Sequence, residues 1–161
     1  MNALANAEVG KYLNEYFVSS FQKVATFRIV GNQKQGGNVA SYFCTPEGRV
    51  VHAIAGPVNA DTLLREARWA VETYKLGLLD SGSDPARLRS FFCKAHAERL
   101  RNEHGLDLDE DDPPRRDLNN QGRVHLILAA APLVKIEQVY RLIFEKVLGE
   151  KVSTAPVVQD S

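Results

Sequence analysis

The chain has 161 residues, 44% apolar and 25% charged, with 20 basic and 20 acidic side chains and a formal net charge of zero. Such a composition excludes disorder throughout, and the lack of a basic excess argues against nucleic acid as a partner. No run of about 18 or more apolar residues occurs, so no segment reads as a bilayer-spanning helix and no membrane partner is expected.

The N-terminal stretch MNALANAEVGKYLNEY has no basic region followed by an apolar one. No signal peptide is therefore expected, and the expected compartment is the reducing cytosol (cytoplasmic). Cys44 and Cys93, the two cysteines, do not form a disulfide framework. Near-zero net charge gives little protection against association, which favours a dimer or a bound partner.

Val9, Leu13 and Phe17, with Tyr12 and Tyr16, recur at helical spacing and predict a first helix, capped by Asn6 or Asn2. FVSSF, residues 17–21, then reads as a short strand. Lys23 to Val30 alternates and reads as a second strand. GNQKQGGN, residues 31–38, reads as a polar glycine-rich loop. VASYFC is a strand, Thr45-Pro46-Glu47-Gly48 a turn, and RVVHAIAG the returning strand. Asn59 caps a helix with Leu63, Ala67, Ala70, Val71 and Tyr74 on one face and a stop at Gly77.

DSGS, residues 80–83, reads as a linker. Asp84-Pro85 opens another helix, carrying Leu88, Phe91, Phe92, Ala95 and Leu100 and ending at Gly105. Residues 106–121 form a proline-broken acidic loop, expected to be mobile. RVHLILAAA, residues 123–131, is a continuous apolar run read as a buried strand. A final helix places Ile136, Val139, Tyr140, Ile143 and Val147 on one stripe and stops at Gly149. The last residues read as a loose tail.

From Glu8 to about Tyr74 the order of elements resembles the C-terminal part of thioredoxin-like proteins. EVGKYLNEYFV resembles the family's xxVxxxLNxxFV helix-to-strand entry. FCTPEGRVVHAIAGPVNADTLLREA resembles its strand, D-P-x-G-type turn, strand and closing helix. The departures are equally specific. No C-x-x-C occurs, although the family's chemistry needs one at a helix N-terminus, where the thiolate is stabilised. Where the family places a cis-proline, this chain reads Asn38-Val39-Ala40.

The resemblance therefore implies an α/β, thioredoxin-like fold lacking the usual N-terminal strand and C-x-x-C helix. A missing central strand leaves backbone groups unpaired, which is costly when buried. Val124 to Ala130 and the final helix are expected to fill that gap as a permuted unit. The division expected is a thioredoxin-like core over 1–78 and a helical and strand-helix extension over 79–161 packing on it.

The chemistry-bearing residues each have a structural reading. Cys44 reads as a small buried hydrophobe on the hairpin. Cys93 and His96 share a helix face, but a metal site there needs two more ligands, with only His104 nearby. Asp107, Asp109 and Asp111 begin like a calcium loop, yet Asp112 stands where glycine is required and Leu118 where glutamate is required. The 31–38 loop lacks phosphate-loop spacing. His52 and His125 read as structural histidines on strands.

No catalytic, cofactor-binding or metal residue is assigned, and no cofactor is expected. The expected function is a redox-inactive thioredoxin-like module that binds a protein or peptide partner or a copy of itself. The alternative is a thiol–disulfide oxidoreductase whose C-x-x-C lies upstream of Met1.

Overall fold

A computed structural model describes residues 3–20, 28–31, 33–35, 38–109 and 118–149. The fold is mixed α/β and mostly helical. A 3-10 turn at Ala3–Ala5 precedes α1 (Ala7–Tyr16), β1 (Arg28–Val30), β2 (Gln33–Gln35), β3 (Ala40–Cys44) and β4 (Val50–Ala55). Then come α2 (Ala60–Ser81), α3 (Pro85–His104), α4 (Asn120–Ala130) and α5 (Ile136–Leu142), which continues as a π-helical turn over Ile143–Val147. No helix among the described residues is long and apolar enough to cross a membrane.

The helix starts follow side-chain capping, which satisfies backbone N–H groups that a first turn leaves without partners. Asn6 accepts from the amides of Glu8 and Val9, and Asn59 from Thr62. Asp84 accepts from Ala86 and Arg87, with Pro85 in the first turn. Asn119 accepts from Gly122. Gly105, in the left-handed conformation, closes α3.

Several expected elements differ. Phe17–Ser20 is not a strand, and Phe21 with residues 23–27 lies outside the described residues. Gln33–Gln35 is a strand rather than loop, paired antiparallel with β1. Residues 110–117 of the expected mobile acidic loop, and the tail from 150, also lie outside the described residues.

Gly77 does not stop α2, which runs on to Ser81 and reduces the expected linker to Gly82-Ser83. Its lack of a side chain serves packing instead. A Cβ there would stand 2.9 Å from Leu88 Cδ1 and 3.0 Å from Phe91 Cδ1 of α3. Glycine lets the two helices approach closely at that point.

The largest correction is α4. The apolar run expected as a strand is a helix, so Val124 to Ala130 does not enter a sheet and the permuted strand-filling arrangement does not form. A short apolar run is ambiguous between buried strand and buried helix. Here the Asn119 cap and the helix-favouring alanines agree with the helix.

The β3–β4 hairpin sits between two apolar cores. On one side Phe43, Val51 and Ile54 pack with Val9 of α1, Leu63, Leu64, Ala67 and Ala70 of α2, and Phe92 of α3. On the other, Val50 and Ala53 pack with Val124 and Leu128 of α4, and with Val139, Ile143 and Val147 at the C-terminal end. A bulge between Phe43 and Cys44 shifts the register, so that Phe43 faces His52 and Cys44 faces Val50. Burial on both sides explains why β4 is apolar along nearly its whole length.

The α4–α5 connection and the helices close the outer edge of β4. The amide of Val50 donates to Val134 O, and that of Ile136 to Gly48 O. Farther along, His96 Nε2 lies 3.0 Å from Val51 O. Gln121 Nε2 donates to Ala53 O at 2.9 Å, and its Oε1 accepts from Ala55 N at 3.4 Å. The Gln121 amide thus does the work of a neighbouring peptide group. Gln121→Leu leaves both edge groups unpaired, at an expected cost of about 1–3 kcal/mol. A urea denaturation midpoint equal to that of the parent chain would refute this role.

Candidate metal centre

Sequence reading takes His52 and His125 singly and weighs His96 only with Cys93 and His104; the fold brings the four histidines together. β4 carries His52, α3 carries His96 and His104, and α4 carries His125. The His52 ring stacks on His125 with centroids 5.2 Å apart, and His96 lies 5.2 Å from His125. His104 follows at 6.0 Å from His125. Side-chain contacts cover the cluster from α2, where half-buried Trp69 meets His52 at 4.8 Å and His96 at 5.3 Å.

Burial is almost complete: relative exposure is 0% for His52, 1% for His96 and 0% for His125. One ring nitrogen from each of these three lies within 4.8 Å of the others. Buried polar rings normally find hydrogen-bond partners. Here the partners account for only some of the nitrogens, and the pattern of use is informative.

The hydrogen bonds set the tautomers. The Glu66 carboxylate only accepts, so His52 Nε2–H donates to its Oε2 at 3.0 Å. The Val51 carbonyl also only accepts, so His96 Nε2–H donates to it. His96 Nδ1 is then a bare acceptor, and His125 Nδ1–H donates to it at 2.9 Å. Two lone pairs remain, on His52 Nδ1 and His125 Nε2. Both atoms are buried and have no hydrogen-bond partner.

Charge around the cluster is organised by Arg99. Its guanidinium donates from Nη2 to Glu66 Oε1 at 2.8 Å and also from Nη1 to Glu66 Oε2. It donates from Nε to Glu103 Oε2 at 2.8 Å and lies over the Trp69 ring at 4.8 Å. Burial alone would push the Glu66 carboxyl up; its hydrogen bonds from Arg99 and His52 outweigh that and hold it well below the usual range.

The imidazoles are held neutral. Burial lowers His52, and Arg99 adds to it, against the raising effect of Glu66. Burial, His52 and Arg99 take His96 down to about 3. Burial, His52 and His96 depress His125 further.

The acid response follows in sign. The unfolded chain binds protons on these histidines below their ordinary 6.5 while the folded chain does not. Stability is therefore full above that value and is lost as pH falls toward the folded value, about 3 for His96. Each histidine contributes a slope of up to about 1.4 kcal/mol per pH unit. Glu66 adds its own loss below the ordinary carboxylate range. Chemical denaturation of the metal-free chain between pH 7.5 and 4.5 checks this; flat stability over that interval is the contrary result.

Comparison with family models, curated proteins and solved structures finds no match. The centre therefore has to be read from its own geometry.

The residues singled out from sequence fall as follows. Cys93 joins neither candidate ligand group among the described residues, although its helix neighbour His96 does. Cys44 is partly buried against the second core, and burial, with Glu137 nearby, pushes its thiol up to about 11. That is opposite to an activated thiolate. Both thiols are free. Asp107 accepts from the amide of Asp109 at 2.9 Å, and Asp111 lies outside the described residues.

His52 and His125 are fully buried, and His125 stands on a helix rather than a strand. No sequence motif announces this cluster, because its members come from three elements far apart in the chain. The weak signal that was present is His96 and His104, two turns apart on one α3 face.

Proposed function

We propose that this chain is a metal-binding protein that holds one divalent transition ion on His52, His96 and His125. The observation that carries the reading is the division of labour on the rings. Ligating histidines characteristically donate their second ring N–H to a carboxylate or a backbone carbonyl, which orients the ring and raises its basicity. His52 donates to Glu66 and His96 to Val51 O, which leaves Nδ1 of each ring as its ligand atom.

Three further features support it. The rings are neutral, as ligands must be. All three donors are imidazole nitrogens, a set that suits zinc, copper, iron and nickel. Without an ion, the buried lone pair of His52 Nδ1 stays unsatisfied at about 1–3 kcal/mol, and an ion on the trio would take it up. On binding, the ion replaces the proton shared between His96 Nδ1 and His125 Nδ1, and the His125 proton moves to Nε2. Three histidines leave the fourth position of a tetrahedral ion for solvent or an incoming group. The test is calorimetric titration of zinc chloride into the chelator-treated chain. One equivalent bound, and loss of binding in His52→Gln, is expected; no uptake sinks the reading.

A second reading keeps the thioredoxin-like resemblance: a redox-inactive module that binds a protein or peptide, or another copy of the chain. The succession α1, β3–β4 hairpin, α2 favours it. So does β3, which pairs only with β4 among the described residues and leaves an outer side for strand addition.

A further inference from the structure

Next to the buried trio stands a second group. Glu103, His104 and His125 also bring one ligand atom each within 4.8 Å of the others. The two groups share His125. Exposure falls along the series: the Glu103 side chain is 46% exposed, His104 is half-buried, and His125 is fully buried. The buried trio has no comparable exposure of its own.

His125 has two nitrogens and each group needs one. Nδ1 is engaged with His96 Nδ1. The unpartnered Nε2 is therefore the atom left for the group with Glu103 and His104. Space for His104 is kept by Gly122 of α4. A Cβ there would stand 3.1 Å from His104 Nδ1 and 3.2 Å from its Cγ. Arg99 ties the two groups together, since it binds Glu66 behind His52 and Glu103 in the outer group.

We propose that Glu103, His104 and His125 Nε2 form an outer loading site that passes a divalent cation inward to the trihistidine centre. This rests on the metal-binding reading above. The cation first meets the exposed carboxylate, then the two imidazoles. It moves inward as His125 exchanges the nitrogen it offers, Nε2 outside and Nδ1 inside, with its proton moving the opposite way. One neutral imidazole does not serve both groups at once, so the chain holds one ion, not two. The half-exposed carboxylate beside two imidazoles makes the outer group a transit site for small divalent cations.

A transit site alters rates without altering equilibrium, and the experiment reads that difference. Cobalt(II) chloride is mixed with the metal-free full chain in stopped flow, following the cobalt absorption bands, and release is followed by adding a chelator. The Glu103→Gln/His104→Gln double variant is expected to slow both association and release by on the order of tenfold. Its dissociation constant and single equivalent should match the parent chain, as should its circular dichroism, while the weakened Glu103–Arg99 hydrogen bonds lower its melting temperature. Unchanged rates overturn the loading site. A loss of affinity as large as that of His52→Gln also overturns it, because the residues would then belong to the binding centre itself. No cobalt uptake by the parent chain overturns the metal-binding reading instead, and the loading site with it.

Discussion

Glu66→Ala is expected to cost about 3–5 kcal/mol of stability, because it leaves Arg99 with only the half-exposed Glu103 as counter-charge. The Glu66 and Arg99 side chains are 4% and 13% exposed, so water is a poor substitute for the lost partner. The same change strands the His52 Nε2–H, which donates to Glu66. For a domain of this size the loss corresponds to a fall in Tm of roughly 6–20 °C.

Three comparisons separate the causes. Glu66→Gln keeps an acceptor for His52 and should cost less. Glu66→Ala/Arg99→Met removes both charges, keeps an apolar stem near Trp69, and should be more stable than Glu66→Ala alone. Arg99→Met alone leaves Glu66 with one histidine donor and should fall between. Urea denaturation of the four chains decides it. A Glu66→Ala midpoint within error of the parent would show that the network carries no net stability.

Zinc is expected to raise the melting temperature of the parent chain and not that of His96→Gln. A ligand that binds only the folded state adds about 2.7 kcal/mol when free at a hundred times its dissociation constant. Here that is a rise of roughly 5–10 °C. His96 is the discriminating position because its Nε2–H is fixed on Val51 O, leaving Nδ1 as its only ligand atom. Glu66→Gln retains all three ligands and loses only the orienting carboxylate. It should weaken zinc by about 10–100-fold, not abolish it. A zinc shift that persists undiminished in His96→Gln would place the ion elsewhere.

The α4 segment shows where local reading stops. Val124 to Ala130 is apolar apart from His125, and apolarity records burial without recording geometry. As a strand it would have alternated its faces. As a helix it sets Gln121 and His125 one turn apart on the side that meets β4, where Gln121 pairs the strand edge and His125 joins the cluster. The expected filling of a central gap by this segment as a strand does not occur, yet the edge of β4 still needs partners, since buried backbone groups are paired. Backbone groups of the α4–α5 connection and side chains of α3 and α4 supply those partners, and a pattern of apolar positions does not encode them.

The sequence by itself determined the local features: the caps at Asn6, Asn59 and Asp84, the turn at Pro46–Gly48, the hairpin strands and the apolar stripe of the last helix. Each rests on contacts between residues near one another in the chain, so residue type and spacing suffice. Tertiary structure alone decided the meeting of His52, His96, His104 and His125, the neutral state of the three buried rings, and the nitrogens left bare. Those depend on how β4, α2, α3 and α4 pack. Burial and opposing charge act through space, and separation along the chain carries no record of them.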